Sequence, residues 1–199
     1  MRLVMLGPPG AGKGTQAFEL SQILAIPQLS TGDMLRAAVA EGTAVGRHAA
    51  EIMAQGDLVP DPLVLEVIAE RIAQPDARRG FILDGFPRTV GQAESLDKIL
   101  NGHKLNCVLE LKVDERQLLH RILGRAKQAL ANGEAVRTDD NEDALGARLM
   151  AYVNQTKPLT DYYRARGLLR TVDASLPIDR VTAELFEAVR EQNIEVGRH

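Results

Sequence analysis

The segment Gly7–Thr15, with the sequence GPPGAGKGT, combines the residue types that bind phosphate groups. Its glycines allow the backbone to wrap an anion with N–H groups, and a helix pattern that begins at Lys13 adds a partial positive charge. Lys13 suits the outer phosphates as a point charge, while Thr15 suits a magnesium ion as a hydroxyl ligand. The segment departs from the common phosphate loop, because Gly14 follows the lysine and the hydroxyl comes one position later. A ligand-free Gly-rich turn is the alternative, but the strand before and the helix after favour a magnesium–nucleoside triphosphate site.

A second candidate is Asp84, which directly follows the apolar run 81–83 and precedes Gly85-Phe86-Pro87-Arg88. A carboxylate at the carboxyl end of a parallel strand lies at the crevice where α/β sheets bind ligands. Asp84 is suited to hold magnesium through water, and Gly85 lets a ligand approach the backbone. A solvated aspartate in a plain strand-to-helix turn is the alternative, which the neighbouring phosphate loop makes less attractive.

Arginines at distant places in the chain form the third candidate set, since a guanidinium binds phosphate with two parallel hydrogen bonds. For any single arginine, a solvated surface position is the competing interpretation. The segment 137–140 adds two carboxylates, which either cap a helix from about Asn141 or hold arginines in place. The set comprises Arg36, Arg88, Arg121, Arg125, Arg137 and Arg148.

The elements that must position these residues alternate between short apolar runs and longer helical patterns. Strands are predicted at 3–6, 81–83, 107–111 and 168–172, and helices at 13–24, 89–100, from about Asp114 and after Pro177. This alternation predicts a single α/β domain over 1–199, with a parallel sheet flanked by helices. Together with the phosphate loop, it predicts the P-loop NTPase type of three-layer fold. Two segments interrupt the rhythm: residues 30–59, with helical patterns at 32–40 and 45–55, and residues 126–137, with an Asn132-Gly133 turn. Both are predicted to be insertions that stand off the sheet.

Composition limits the classes of function. The 199 residues carry a formal net charge of -3, which argues against a nucleic-acid-coating role. Cys107 is the only cysteine, so no intrachain disulfide forms, and its apolar surroundings predict a buried, inert thiol. The histidines show no metal-ligand spacing. No apolar stretch approaches the roughly 18 residues of a membrane span, and no signal peptide is recognisable, so a cytoplasmic protein is expected.

Taken together, the chain resembles the adenylate kinases, within the nucleoside monophosphate kinases. The resemblance runs over nearly the whole length through ordered motifs. These are Gly7–Gln16, Ser30–Arg36, 56–60 (GDLVP), Asp84–Arg88 with Gln92, Arg121–Arg125, and 137–142 (RTDDNE) with Arg148. It implies reversible transfer from MgATP to AMP, giving two ADP, in a monomer whose segment 30–59 is the AMP-binding arm and whose segment 126–137 is a lid over ATP.

The resemblance also assigns residues. Those implied for ATP are Gly10, Ala11, Gly12, Lys13, Gly14, Thr15, Arg121, Arg125, Arg137 and Leu176, the last through its carbonyl at the base. Those implied for AMP are Thr31, Arg36, Asp57, Leu58, Val59, Gly85, Arg88, Gln92, Arg137 and Arg148. The charges for the transfer step are those of Lys13, Arg88, Arg125, Arg137 and Arg148, with magnesium held by Thr15 and, through water, by Asp84. The eleven residues between Arg125 and Arg137 include no Cys or His, so no zinc is expected in the lid.

Three alternatives remain at this stage. A pyrimidine monophosphate kinase of the same architecture is disfavoured by Thr31, whose hydroxyl suits the adenine edge, although Thr31 is also suited to cap the helix that follows. A GTP-dependent AMP kinase is open, because donor base recognition is largely through the backbone. A nucleotide switch without transfer chemistry is disfavoured, because no Asn-Lys-x-Asp motif is present.

Overall fold

Five parallel strands form the centre of the protein, in the spatial order β2-β3-β1-β4-β5. The computed structural model describes residues 1–55, 57–133 and 142–196. The strands are β1 (Arg2–Leu6), β2 (Gln28–Ser30), β3 (Phe81–Asp84), β4 (Cys107–Lys112) and β5 (Leu169–Asp173). In register, Met5 of β1 lies beside Asp84 of β3, and Leu6 lies beside Glu110 of β4. The loops after β1 and β3 therefore leave the same edge of the sheet as neighbours.

Helices connect the strands and cover both faces of the sheet. They are α1 (Lys13–Leu24), α2 (Thr31–Ala40), α3 (Ala44–Gln55), α4 (Asp61–Ile72), α5 (Val90–Ile99), α6 (Glu115–Ala131), α7 (Glu142–Ala151), α8 (Pro158–Arg164) and α9 (Ile178–Val196). A 3₁₀ turn (Pro75–Ala77) precedes β3, and a π-helical segment (Tyr152–Thr156) joins α7 to α8. None of the helices in the described residues is both long and apolar enough to cross a membrane.

The hydrophobic core lies in two layers, one on each face of the sheet. Along β1, Val4 and Leu6 belong to the layer with α4, α5 and α8, whereas Leu3 and Met5 belong to the layer with α1 and α9. Each is at most 2% exposed. Because helices cover both faces, the strand is apolar at successive positions rather than at alternate ones. The predicted three-layer α/β fold is confirmed. Cys107 is fully buried in this core, and burial raises the pKa of its thiol to about 12, which explains why the thiol is inert.

The structure contains elements that the sequence analysis did not predict, among them β2, α4 and α8. Strand β2 was not predicted, because its three residues lie between α1 and α2 and are too few for a periodic pattern. Helix α6 continues to Ala131 and so includes residues 126–131 of the predicted lid. Residues 134–137 lie outside the described part of the chain, and the lid stays a prediction. In the arm, α2 packs against α3, and Leu35, Ala49 and Val59 join one layer of the core.

Candidate active site

A cavity of about 870 Å³ opens at the carboxyl edge of the sheet, between the phosphate loop, the end of β3, the arm and the loop before α9. All but two of the residues that the sequence analysis assigned to ATP, AMP or magnesium line this cavity. These are Gly10–Thr15, Thr31, Arg36, Asp57, Leu58, Val59, Asp84, Gly85, Arg88, Gln92, Arg121, Arg148 and Leu176. The exceptions are Arg125, whose side chain in α6 lies outside the description, and Arg137, which lies outside it entirely.

The phosphate loop runs from β1 into α1 and folds around its own lysine. The Lys13 Nζ donates to the carbonyl oxygens of Gly7 at 2.7 Å and Pro8 at 2.9 Å. Gly10 has a φ of +83°, and a Cβ there would lie 3.1 Å from the Leu118 carbonyl oxygen. A side chain at Gly10 would thus be both strained and crowded. The Lys13 ammonium group is therefore held by backbone carbonyl oxygens of the phosphate loop, and the conformation of that loop depends on glycine at position 10.

Two side chains with oxygen atoms, those of Asp84 and Thr15, lie where the phosphate loop meets β3. Asp84 is 9% exposed, and its carboxylate accepts from Gln28 Nε2 at 3.2 Å. A Cβ built on Gly14 would lie 3.5 Å from Asp84 Oδ2, so the carboxylate faces the first turn of α1. Thr15 follows on that turn with an exposed side chain. A carboxylate and a hydroxyl beside a phosphate loop fit Mg²⁺, which takes oxygen ligands and keeps much of its water.

On the other side of Asp84, Thr31 lies in the wall of the cavity. Thr31 is 3% exposed, and its hydroxyl donates to the backbone carbonyl oxygen of Asp84 at 3.2 Å. The capping interpretation of Thr31 is wrong, because the N-cap of α2 is Ser30, whose hydroxyl accepts from the Asp33 N–H. Gly85 has a φ of +83°, and a Cβ there would lie 2.7 Å from Thr31 Oγ1. The backbone of Gly85 therefore lies directly beside the Thr31 hydroxyl.

Two arginines lie on the same side. The Arg88 Nε donates to the carbonyl oxygen of Gly85 at 2.8 Å, and the Arg88 carbonyl oxygen accepts from the Thr156 hydroxyl at 2.9 Å. Thr156 belongs to the π-helical segment, so that segment fixes the backbone of Arg88. Arg36 pairs with Asp33 one helical turn earlier, and its guanidinium lies over Gly32.

At the far end of the cavity, the loop between β5 and α9 presents Leu176, which is 39% exposed. Arg121 of α6 donates to the Ala174 carbonyl oxygen in this loop at 2.8 Å. From the other side, the buried Gln16 donates to the Ile178 carbonyl oxygen at 3.1 Å and accepts from the Thr182 hydroxyl at 2.8 Å. Hydrogen bonds therefore connect the start of α9, next to the loop after β5, to α1, which begins in the phosphate loop.

A smaller cavity of about 60 Å³ adjoins the first, and Lys13, Arg88 and Arg148 line both. Tyr152 also lines the smaller cavity. Burial, and to a lesser degree the Glu110 carboxylate, raise the pKa of Tyr152 to about 12, so its phenol stays neutral at physiological pH. Three cationic side chains from three different elements thus converge between the phosphate loop and the arm.

Sequence reasoning missed several of the residues that hold this site. Gln28 supports Asp84, Thr156 supports Arg88, and Gln16 with Thr182 supports the loop before α9. Gln16 belongs to the motif Gly7–Gln16 that carries the family resemblance, but no role was assigned to it from the sequence. For the others, the partners are far away in the chain, so no local pattern indicates the contact.

Comparison with known proteins agrees with the geometry. The family model described as "Adenylate kinase" matches residues 5–168. An adenylate kinase of Methylobacterium radiotolerans is 57% identical over 188 residues, which cover 94% of each chain. An adenylate kinase of Azorhizobium caulinodans is 59% identical over 184 residues, covering 92% of this chain and 95% of that protein. One of Nitrobacter winogradskyi is 52% identical over 200 positions, covering 100% and 97%. The chain therefore belongs to the adenylate kinase family.

Proposed function

We propose that the protein carries out its family's reaction, the reversible transfer of the terminal phosphoryl group of MgATP to AMP, in the cavity at the carboxyl edge of the sheet. One observation carries the proposal. The phosphate loop after β1 and the Asp84–Arg88 segment after β3 leave neighbouring strands and line one cavity. A triphosphate on the loop and a monophosphate on Arg88 would then meet end to end, as an in-line transfer requires.

The proposed phosphoryl transfer needs correctly positioned substrates and positive charge around the moving group, and it needs no nucleophilic side chain. The phosphate oxygen of AMP is already anionic, so it attacks without a general base. Charge on the moving phosphoryl group is neutralised by Lys13, Arg88 and Arg148, joined in this proposal by Arg125 and Arg137. Thr31, Arg36, Gln92 and residues 57–59 hold the acceptor, while Arg121 and the Leu176 carbonyl hold the adenine of the donor.

Magnesium enters with the nucleotide, and Thr15 with Asp84 would hold it. When bound, the ion neutralises phosphate charge and fixes the geometry of the triphosphate. The arm and the lid would close over both substrates, since an open cavity lets water compete with AMP for the phosphoryl group. We further propose that the protein acts as a monomer in the cytoplasm.

An assay with paired nucleotides tests this function. ATP or GTP is incubated with AMP, CMP or UMP and Mg²⁺, and the diphosphates are quantified. ATP with AMP should be the best pair. Fastest turnover with CMP or UMP would favour a pyrimidine kinase, GTP as the better donor would favour the GTP-dependent alternative, and hydrolysis without any diphosphate from the acceptor would favour a switch. The adenylate kinases to which the chain is similar favour the adenine pair.

Thr31 is expected to set the choice of acceptor base. Its hydroxyl proton is engaged with the Asp84 carbonyl, which leaves oxygen lone pairs to accept from the amino group of adenine. Thr31→Ala should lower kcat/KM for AMP by about three- to tenfold, the effect of one lost hydrogen bond. The preference for AMP over CMP and UMP should narrow by a similar factor, and steady-state kinetics with the three monophosphates measures it.

Two controls separate base recognition from stability at this position. Thr31→Ser keeps the hydroxyl and should keep the preference for AMP. Ser30→Ala removes the true cap of α2 and should cost about 1 kcal/mol of stability while leaving the order of acceptors unchanged. If Thr31→Ala lowered only the melting temperature, Thr31 would have no part in reading the base.

The metal requirement gives a further expected result. Activity should need added Mg²⁺, because Thr15 and Asp84 are too few to retain the ion without the nucleotide, and the purified protein should hold no stoichiometric zinc. Within residues 1–55, 57–133 and 142–196, no three His, Cys, Asp or Glu side chains cluster to hold a metal. Full activity in excess chelator, or one zinc per chain by elemental analysis, would contradict these expectations.

A further inference from the structure

The side chain of Gln92 is held at both ends in the wall of the cavity. Gln92 lies in the first turn of α5, where its backbone N–H donates to the N-cap hydroxyl of Thr89 at 3.1 Å. Its side-chain oxygen Oε1 accepts from the Arg88 backbone N–H at 2.7 Å, and its Nε2 donates to Asp61 Oδ1 at 2.6 Å. The residue is 2% exposed and lines the large cavity, whereas Asp61 lies outside the lining.

These two contacts allow only one orientation of the amide. An ionised carboxylate only accepts hydrogen bonds, and a backbone N–H only donates them. The flipped amide would place its oxygen against the Asp61 carboxylate and its NH₂ group against the Arg88 N–H, so both contacts would become repulsive. The contact to Asp61 is also charge-assisted, which makes it the stronger kind of hydrogen bond.

The fixed orientation determines what the amide offers to a ligand. An amide oxygen has two lone pairs and an amide nitrogen two N–H groups, and each has spent one on its protein partner. One acceptor and one donor remain, side by side and in a set order. A 6-aminopurine carries the complementary pair, an amino donor next to a ring-nitrogen acceptor, whereas a 6-oxopurine carries an oxygen acceptor next to a ring N–H donor.

We propose that Asp61 is a positioning residue that, together with the Arg88 backbone N–H, fixes the polarity of the Gln92 amide, and that it thereby strengthens the selection of 6-amino over 6-oxo bases in the acceptor nucleotide. The inference rests on the proposed function, because it deepens the acceptor site. Asp61 is the first residue of α4, two positions after the end of the arm. Its hydrogen bond to Gln92 therefore connects the chain that leaves the arm to the amide proposed to bind the base. Cytosine presents the same order as adenine, so discrimination of purine from pyrimidine falls to other residues.

The test compares AMP with IMP, which differ at the 6-position and at the protonation of N1, in the wild-type protein and in Asp61→Ala. With MgATP as donor, Asp61→Ala should raise KM for AMP by about three- to tenfold, the effect of one well-oriented hydrogen bond, with kcat little changed. The kcat/KM for IMP should not fall, because its edge gains nothing from the wild-type orientation. The ratio of kcat/KM for AMP to kcat/KM for IMP should therefore be smaller in Asp61→Ala than in the wild-type protein. Asp61→Asn, whose amide oxygen still accepts from Gln92, should lose less than the alanine variant.

Two further variants keep the result interpretable. Asp161→Ala removes an exposed carboxylate from the first turn of α8, so it reproduces the loss of a helix-dipole contact and should leave the ratio unchanged. If Asp61→Ala is unstable, Asp61→Ser is used in its place, because serine is favourable at the start of a helix but too short to reach Gln92. Equal losses with AMP and IMP, an unchanged ratio in Asp61→Ala and Asp61→Ser, or a loss in Asp61→Asn as large as in Asp61→Ala would overturn the proposal. A wild-type protein that makes no ADP from ATP and AMP would instead overturn the proposed function.

Discussion

Replacing Lys13 by methionine should lower the rate of phosphoryl transfer by at least about a hundredfold, because a charge contact to the transition state is worth a few kcal/mol. Methionine matches the length of the aliphatic stem and removes the ammonium group. In the structure that ammonium group holds the carbonyl oxygens of Gly7 and Pro8, so it lies at the loop that would cradle the triphosphate. Single-turnover kinetics at saturating MgATP and AMP measures the loss directly.

The loss must be separated from any damage to the loop. Lys13→Met also removes two hydrogen bonds to backbone carbonyls, so thermal unfolding of each variant is recorded alongside. Lys98→Met provides the matched control, since Lys98 is an exposed lysine on α5 and should retain wild-type turnover. Near-normal turnover in Lys13→Met would remove Lys13 from the transfer step.

Arg88→Ala should impair the use of AMP far more than the binding of ATP. Arg88 follows β3 on the side of the cavity that Thr31 and Gln92 share, and its guanidinium is held toward Gly85. A charged hydrogen-bonding contact to the AMP phosphate should be worth about 10- to 100-fold in kcat/KM for AMP. The dissociation constant of MgATP should change by less than about threefold, a difference below the energy of one hydrogen bond. Steady-state kinetics and equilibrium titration with each nucleotide alone measure the two effects.

Arg166→Ala is a suitable control for that experiment. Arg166 is exposed, donates to the Tyr162 carbonyl oxygen at 3.1 Å and stacks on the Tyr162 ring at 3.5 Å. Its replacement also costs an arginine-to-carbonyl hydrogen bond, but far from the cavity, so both nucleotide affinities should remain as in the wild type. If Arg88→Ala lost affinity for ATP and kept that for AMP, the assignment of donor and acceptor sides would be reversed.

The parts of the site that were predictable from sequence are those encoded in contiguous residues. A phosphate loop places its glycines, lysine and hydroxyl within nine residues, Gly7–Thr15, and the carboxylate Asp84 ends an apolar run. These local patterns carry their own geometry, because a strand, a tight turn and a helix follow one another without a break. The parallel sheet was predictable for the same reason, since four of its strands are apolar runs separated by helical patterns.

Contacts between distant residues were not predictable. The Thr182 hydroxyl donates to Gln16, which is 166 positions away in the sequence. The Thr156 hydroxyl donates to the Arg88 carbonyl oxygen, 68 positions away, and Gln92 donates to Asp61, 31 positions away. Side-chain amides and hydroxyls of this kind occur at many positions, and only the folded topology selects their partners. The capping role considered for Thr31 was wrong for a related reason, since Ser30 and Thr31 both carry a hydroxyl and only the backbone conformation at Ser30 makes that residue the cap.

The roles of Arg125 and Arg137 remain predictions, since the Arg125 side chain and residue Arg137 lie outside the described part of the chain. They stand on the motifs in which the two arginines occur. Substitution of either residue would be informative once the acceptor and donor sides have been assigned by the variants at Lys13 and Arg88.

The most direct test of the central claim follows the phosphoryl group itself. The protein is incubated with Mg²⁺, AMP and ATP labelled in its γ-phosphate, and the products are separated over the first turnovers. Direct transfer predicts that the label appears at the β-position of ADP as fast as ATP is consumed, with two ADP formed for each ATP and no label in inorganic phosphate. Label released as inorganic phosphate, with AMP unchanged, would show hydrolysis instead of transfer and would contradict the account.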